Sequence, residues 1–332
     1  MKGPVLRIVD CGLRIGLRSG VALALLAPPA SAQSPSYTKG QNISPAYEGW
    51  EQASDGTKYF LFGYMNRNWE EEIDVPVGPD NGFNIGDADQ GQPTHFLPRR
   101  NRFVFRVKVP AGFSEKDELI WTLTTHGKTE KAYATLRPDY VVDDVVKASE
   151  TGALGAGTSS PEVRGNHAPS VHIQEVKARN VKAGEPITLV SEVKDDGIPK
   201  RRPPPSLAAL AAIQKRLADE PALAAALRNP SMSPPSRITV GKSLGLHVSW
   251  FVYRGPVGGK ATFDPPQVKA WEDTRAAANS PWAPNWVAPK LPDDGIQPVQ
   301  VTFSEPGTYI LRCRADDGAL VADEEVTIVV VR

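Results

Sequence analysis

A chain of 332 residues exceeds what one hydrophobic core usually holds, so two domains of ordinary size are expected. Its 38 basic and 38 acidic residues cancel, leaving no net field to attract a phosphate backbone and arguing against a nucleic-acid partner. With 40% hydrophobic residues, 31 prolines and 28 glycines, the composition suits a globular protein rich in turns, poor in long helices and leaning toward β-structure.

Residues 1–32 read as a targeting segment. Arg7, Arg14 and Arg18 precede an apolar run over 21–27, and Ala30-Ser31-Ala32 supplies small residues for cleavage after Ala32. The run is shorter than the roughly 20 residues a membrane-crossing helix needs, and nothing later in the sequence could span a bilayer either. Cys11 lies before the run rather than just after it, so no lipid anchor is expected. Cleavage leaves 34 basic against 37 acidic residues and only Cys313, hence no internal disulfide in an exported chain that could have formed one. The expected destination is the periplasm, the cell surface or the medium.

Residues 33–45 are polar and aperiodic, as in a flexible N-terminus. Over 46–146 short runs of aromatic and β-branched residues alternate with turn formers, predicting strands near 58–64, 102–109, 118–125 and 129–136. In 102–109 the odd positions are apolar and most even ones basic, the period of a strand with one face in a core. His126-Gly127-Lys128 suits a hairpin turn between the last two runs, and a small antiparallel β-sandwich follows. Glu70, Glu71, Glu72 and Asp74 could suggest paired catalytic carboxylates, but neighbours on a strand face opposite ways, so a solvated edge is expected. Arg99, Arg100 and Arg102 are expected to be surface charge. Between Asp80 and Gly91, the donors Asp80, Asp87 and Asp89 on a glycine-bearing loop are the candidate ligands for calcium, although they match only a fragment of a calcium loop and also suit ordinary turns. Gly and Ser dominate 147–165, a linker composition that sets a domain boundary there.

Beyond it come Asn166-His167-Ala168-Pro169, Ala183-Gly184-Glu185-Pro186, Asp195-Asp196-Gly197, Val248-Ser249-Trp250, and Pro306-Gly307-Thr308-Tyr309 leading to Asp316-Asp317-Gly318. This order resembles the PKD-like and cadherin-like, immunoglobulin-like repeats of bacterial exported proteins over residues 166–332. The resemblance implies a β-sandwich and a non-catalytic spacer, adhesion or binding role. The residues agree: Tyr309, Leu311, Cys313 and Ala315 share one strand face with Arg312 and Arg314 opposite, and Trp250 reads as a core residue. Insertions over 200–243 and 264–298 depart from the pattern. The first opens on a basic, proline-rich lead; Ser206 then suits an N-cap, and Leu207, Leu210, Ile213 and Leu217 form an apolar stripe. With a second short helix from Pro221, this predicts a helical hairpin packed on its own protein, or else a docking surface.

Five histidines are scattered without metal-ligand spacing, and no serine sits in a nucleophile elbow. In the second insertion Trp271, Trp282 and Trp286 are candidates for stacking on a sugar or peptide, against the plainer role of pinning the loop. The Asp-Gly turns are explained by the positive φ that tight turns need. The sequence therefore predicts an all-β chain of two β-sandwich domains, acting as an exported, non-catalytic binding, adhesion or structural module whose partner is a protein or carbohydrate of the cell envelope. The alternative is a secreted enzyme or enzyme accessory subunit with its site around the 78–100 loop.

Overall fold

The computed structural model describes residues 37, 39–69, 71–150, 160–175, 180–201, 206–222, 244–267, 269–270 and 291–332. The expected targeting segment lies outside them, as do Trp271, Trp282 and Trp286. The chain is all-β and forms two sandwiches.

The first holds strands β1 (Ile43–Gln52), β2 (Lys58–Asn66), β3 (Ile73–Asp74), β4 (Asn81–Phe83), β5 (His95–Phe96), β6 (Arg99–Lys108), β7 (Leu119–Thr125) and β8 (Lys128–Ala134). Sheets ordered β1-β2-β6 and β4-β7-β8 are accompanied by the short ladder β3-β5. Strand β7 alternates buried and half-buried residues along its length, so Leu119, Trp121 and Leu123 enter the core. The Trp121 indole is ringed by Phe62, Phe83, Phe96 and Phe105 at centroid distances of 5.0–6.4 Å. The β7–β8 hairpin turns on His126 (φ 49°) and Gly127 (φ 72°), the double left-handed conformation that matches the twist of paired strands. Strand β1 starts inside the stretch expected to be flexible, because Ile43 is fully buried in this core.

Strand β6 does not keep a clean alternation. Its pairing with β2 slips between Phe62 and Tyr64, and Phe103 adopts φ 48°, so Val104 and Phe105 are both buried. Gly63 sits opposite this bulge, where a β-carbon would collide with the Glu48 carboxylate and the Asn101 carbonyl. The three arginines are not free surface charge. Arg99 is buried with its guanidinium 4.0 Å from the Trp69 ring, and Arg100 and Arg102 bond Glu48 at 2.5 and 3.1 Å.

Between the sandwiches, the region read as a linker contains helices α1 (Asp144–Glu150) and α2 (Pro161–Gly165). Helix α1 forms because Ala148 buries itself against Ala319 and Leu320, while Lys147 and Glu150 pair with Glu51 and Arg102.

The second sandwich holds β9 (Ser170–Ile173), β10 (Asn180–Lys182), β11 (Ile187–Lys194), β12 (His247–Arg254), β13 (Ala261–Asp264), β14 (Ile296–Phe303), β15 (Gly307–Asp316) and β16 (Val321–Val331). One sheet runs β13-β14-β11-β9 and the other β10-β16-β15-β12, with β10 parallel to β16. This is the D-E-B-A and G-F-C order of an immunoglobulin-like sandwich. Trp250 on the C-type strand β12 is buried beside Cys313 of β15, and the Tyr309 hydroxyl donates to the Glu305 carbonyl at 3.0 Å at the corner entering β15. Cys313 is fully buried near Ser191 of β11, and burial pushes its thiol up to about 12, only partly offset by the Ser191 hydroxyl. Alkylation of Cys313 by iodoacetamide in native buffer near pH 8 is therefore expected to be undetectable by mass spectrometry, and complete in denaturant.

The first insertion carries helix α3 (Leu207–Asp219), capped by the Ser206 hydroxyl accepting from the Ala209 N–H at 3.2 Å. It does not pack on its own sandwich. No α3 residue is buried; Leu207, Leu210 and Ile213 are 86%, 44% and 52% exposed, so the apolar stripe faces outward. The expected second helix has only its first residues described.

Candidate functional site

The stretch from Asp80 to Gly91, expected as a candidate calcium loop, is part of a docking arm that ends at Thr94. Asn81 organises its base: its amide donates to the Val75 and Pro93 carbonyls at 3.0 and 2.8 Å, and its oxygen accepts from the Trp121 indole. The arm then lies along β12. Arg254 grips the Asp89 carboxylate through two bonds of 2.7 Å and donates to the Gln92 carbonyl, while the Tyr253 hydroxyl donates to the Gly91 carbonyl. The Thr94 N–H donates to the Tyr253 carbonyl, extending the sheet edge by one bond. The Arg254 guanidinium holds the Asp89 carboxyl down at about 2. Asp80 and Asp87 are exposed and do not converge with Asp89: among the described residues no group of three or more His, Cys, Asp or Glu side chains is placed to hold a metal ion.

Just beyond the arm, His95 is held between two carboxylates, Asp74 Oδ1 at 2.7 Å from Nδ1 and Glu72 Oε2 at 3.3 Å from Nε2. The second Asp74 oxygen accepts from the Gly258 N–H at 2.9 Å, tying β3 to the other sandwich. Burial pushes the Asp74 carboxyl up, but the bonds from His95 and Gly258 outweigh it and hold the carboxyl below its ordinary value. Glu72 and Asp74 are therefore not part of a solvated edge, and Glu70 lies outside the described residues. Glu71, for its part, accepts from the Gly40 N–H and faces His126 Nε2 at 3.2 Å. His95 thus has Nδ1 bonded to one carboxylate and Nε2 near another, while the thiol of Cys313 lies in a core.

Among the described residues, two of the cavities along the seam are large enough to hold more than a water molecule. One, of about 410 Å³, is walled by His95 and Asn101 on one side and by Trp250, Lys260 and Phe263 on the other. Gln267 closes part of it by accepting from the Trp250 backbone N–H at 3.1 Å. The other, of about 570 Å³, is lined by charges that neutralise one another, such as Arg312 with Glu325 and Lys147 with Glu51.

The seam is more than contact between surfaces. Tyr253 and Ile310 of the second sandwich pack into the first core, and Arg312 reaches across to donate to the Val104 carbonyl at 2.5 Å while lying 3.6 Å from the Tyr253 ring centroid. Sequence reading missed these residues because the partners across the seam are far along the chain, the Val104 carbonyl 208 positions from Arg312 and the Gly91 carbonyl 162 from Tyr253. The one local trace was the presence of two arginines on the strand face opposite Cys313.

The Asp-Gly turns use their carboxylates on their own backbone. Asp195 and Asp196 accept from the Gly197 and Ile198 N–H groups, and Asp294 accepts from Ile296. Asp317 differs in being fully buried. It accepts from the Ala319 and Leu320 N–H groups at 2.6 and 2.7 Å and from the Asn166 amide at 3.0 Å. Burial nevertheless pushes its carboxyl up to about 6.

No family model and no curated protein matches the chain. Among solved structures it is similar to a conjugative transposon lipoprotein from Bacteroides eggerthii (10% identity, TM-score 0.24, 49% of this chain and 97% of that one). It is also similar to the D00-D0 domain of intimin (11% identity, TM-score 0.21, 87% and 100%) and to the S-layer protein rSbsC (8%, TM-score 0.21, 88% and 28%). Superpositions this loose decide nothing about function, and the immunoglobulin-like assignment rests on the strand order itself.

Proposed function

We propose that the chain is an exported, non-catalytic binding or structural module, in which two clamped β-sandwiches present helix α3 to a protein of the cell envelope. The observation carrying this reading is the outward apolar stripe of Leu207, Leu210 and Ile213 on a well-capped helix. Such a stripe is normally buried, and a contiguous exposed apolar patch marks an interaction surface. Export is supported by the pattern of residues 1–32. Calcium at Asp80, Asp87 and Asp89 would have to displace Arg254 from Asp89.

The test is affinity capture from solubilised envelopes with the protein from Gln33 onward, repeated with residues 203–229 deleted. A partner retained by the full protein and lost on deletion, with the circular-dichroism spectrum and melting temperature unchanged, is the expected result. Equal capture by both proteins rules out α3 as the docking element, and a deletion that unfolds the chain shows the segment to be part of the fold.

A further inference from the structure

We infer that the protein engaged by α3 is a second copy of this chain, whose surface over residues 139–146 receives the helix; the inference rests on the docking reading above and names its partner. In its own chain α3 is packed on no core, and Leu207, Leu210 and Ile213 are turned outward. The matching surface has the same exposed apolar character and the opposite charge. Residues 139–146 comprise three aspartates, five apolar residues and no base. Tyr140, Val141 and Val146 are 44%, 49% and 37% exposed, and Asp139, Asp143 and Asp144 stand exposed among them. One exposed apolar side chain is ordinary, but three within a short run rimmed by charge make an interaction patch. The run is held in place: the Val142 N–H donates to the Trp50 carbonyl at 2.9 Å, and the Tyr140 ring lies 5.4 Å from that of Tyr47.

Charge selects the partner. The insertion over 200–243, which carries α3, holds eight basic and two acidic residues, while the rest of the chain from Gln33 holds 26 and 35. A basic insertion on an acidic body makes two copies attract where one meets the other. Within the patch Asp139 faces Arg137 at 3.2 Å, and Asp144 faces Lys147 at 3.4 Å, although Lys147 lies closer to Glu51, at 2.5 Å. Exposed pairs of this kind neutralise little, so the patch stays negative. An anionic bilayer could take the apolar stripe but would repel this patch, which a second copy instead fills. The fold also sets the two surfaces side by side. The insertion rejoins the sandwich at Gly245, whose N–H donates to the Asp317 carbonyl at 2.6 Å, and the next residues of that turn, Ala319 and Leu320, pack on Ala148 of α1, just past the patch. A two-fold pairing then lets each α3 lie on the patch of the other copy and leaves neither surface unfilled.

The experiment measures the mass of the protein from Gln33 onward by light scattering after gel filtration, at loadings from micromolar to submillimolar. The expected result is a mass that rises with loading toward that of two chains, through an association weakened about tenfold between 0.1 M and 1 M NaCl. Two charge reversals make the test specific. Lys215→Glu with Arg216→Glu on the helix, and Asp139→Lys with Asp144→Lys on the patch, should each give a monomer with the circular-dichroism spectrum of the parent. Mixed in equal amounts, the two should form a heterodimer, because both interfaces then join opposite charges again. Leu210→Gln, a milder change at an exposed position, should also give a folded monomer. The proposal is overturned if the parent is monomeric at every loading, if the reversed proteins or Leu210→Gln dimerise as the parent does, or if the mixture associates no better than its components. A monomeric parent that sediments with phosphatidylglycerol vesicles assigns the stripe to lipid instead. A monomeric parent whose capture of an envelope protein still depends on residues 203–229 sinks self-pairing alone and leaves the docking reading in place.

Discussion

Replacing Arg312 by alanine is expected to lower the stability of the protein to urea by roughly 3–5 kcal/mol, the cost of breaking a buried ion pair on one side. The guanidinium is 7% exposed and serves four partners: the Val104 carbonyl, Glu325 at 2.6 Å, Asp323 at 3.4 Å and the Tyr253 ring. Alanine leaves the Val104 carbonyl without its donor and Tyr253 without its cation, while Asp323 keeps Arg314 at 2.7 Å. Lysine preserves the charge but not the planar fork, so Arg312→Lys should lose about half as much. Because Arg312 joins the sandwiches, amide exchange in residues 87–96 should accelerate in Arg312→Ala even where the protein remains folded. A loss below about 1 kcal/mol for the alanine variant would show the seam to be held by apolar contacts alone.

Asp317→Asn is expected to do the opposite and stabilise the protein at neutral pH. The carboxyl titrates near 6 in the folded chain against an ordinary 3.8, so between those values the folded state binds a proton that the unfolded state has released. Its contribution thus favours folding at low pH and is lost as pH rises through about 6, the reverse of a salt-bridged carboxylate. Above that window the ionised, buried group costs roughly 1–3 kcal/mol, a cost that a neutral amide of the same shape avoids. The amide oxygen can still accept from Ala319 and Leu320. Its NH₂ can donate to the Asn166 Oδ1, which now has no partner, once the Asn166 amide turns over. The neighbouring titratable groups are Asp316, bonded to the Gly318 N–H at 2.8 Å, and His247, whose Nε2 lies 3.8 Å from Asp316. They remain in both proteins, so the difference between wild-type and variant urea midpoints from pH 4 to 7.5 isolates Asp317. A variant less stable at pH 7.5, or a difference that does not grow between pH 4 and 6, would refute the assignment.

These two residues show where sequence reading succeeds and where it stops. Period-two burial placed Tyr309, Leu311 and Cys313 inward and made Trp250 a core residue, because alternation is a local property of a strand. The same alternation put Arg312 and Arg314 on the opposite face but is silent on what covers that face. In the structure the cover is the other sandwich, together with Asp323 and Glu325 of β16. Likewise, Asp89 in an Asp- and Gly-rich stretch reads as a turn or a metal ligand, since composition carries no trace of Arg254 some 165 residues on. Helix α3 was legible from its spacing and from Ser206, yet periodicity only defines a face and does not say whether anything is packed on it. The bulge at Phe103 escaped because a positive φ at a phenylalanine is imposed by its partners, Gly63 among them, and not by its own preference.

The pairing of Cys313 with a serine on the facing sheet has a practical corollary. Antibody domains place a covalent cross-link between these two strands. Here Cys313 is a free thiol and the only cysteine among the described residues, so the protein should reach the same state in a reducing compartment as in an oxidising one. Dithiothreitol should leave its denaturation curve where it was.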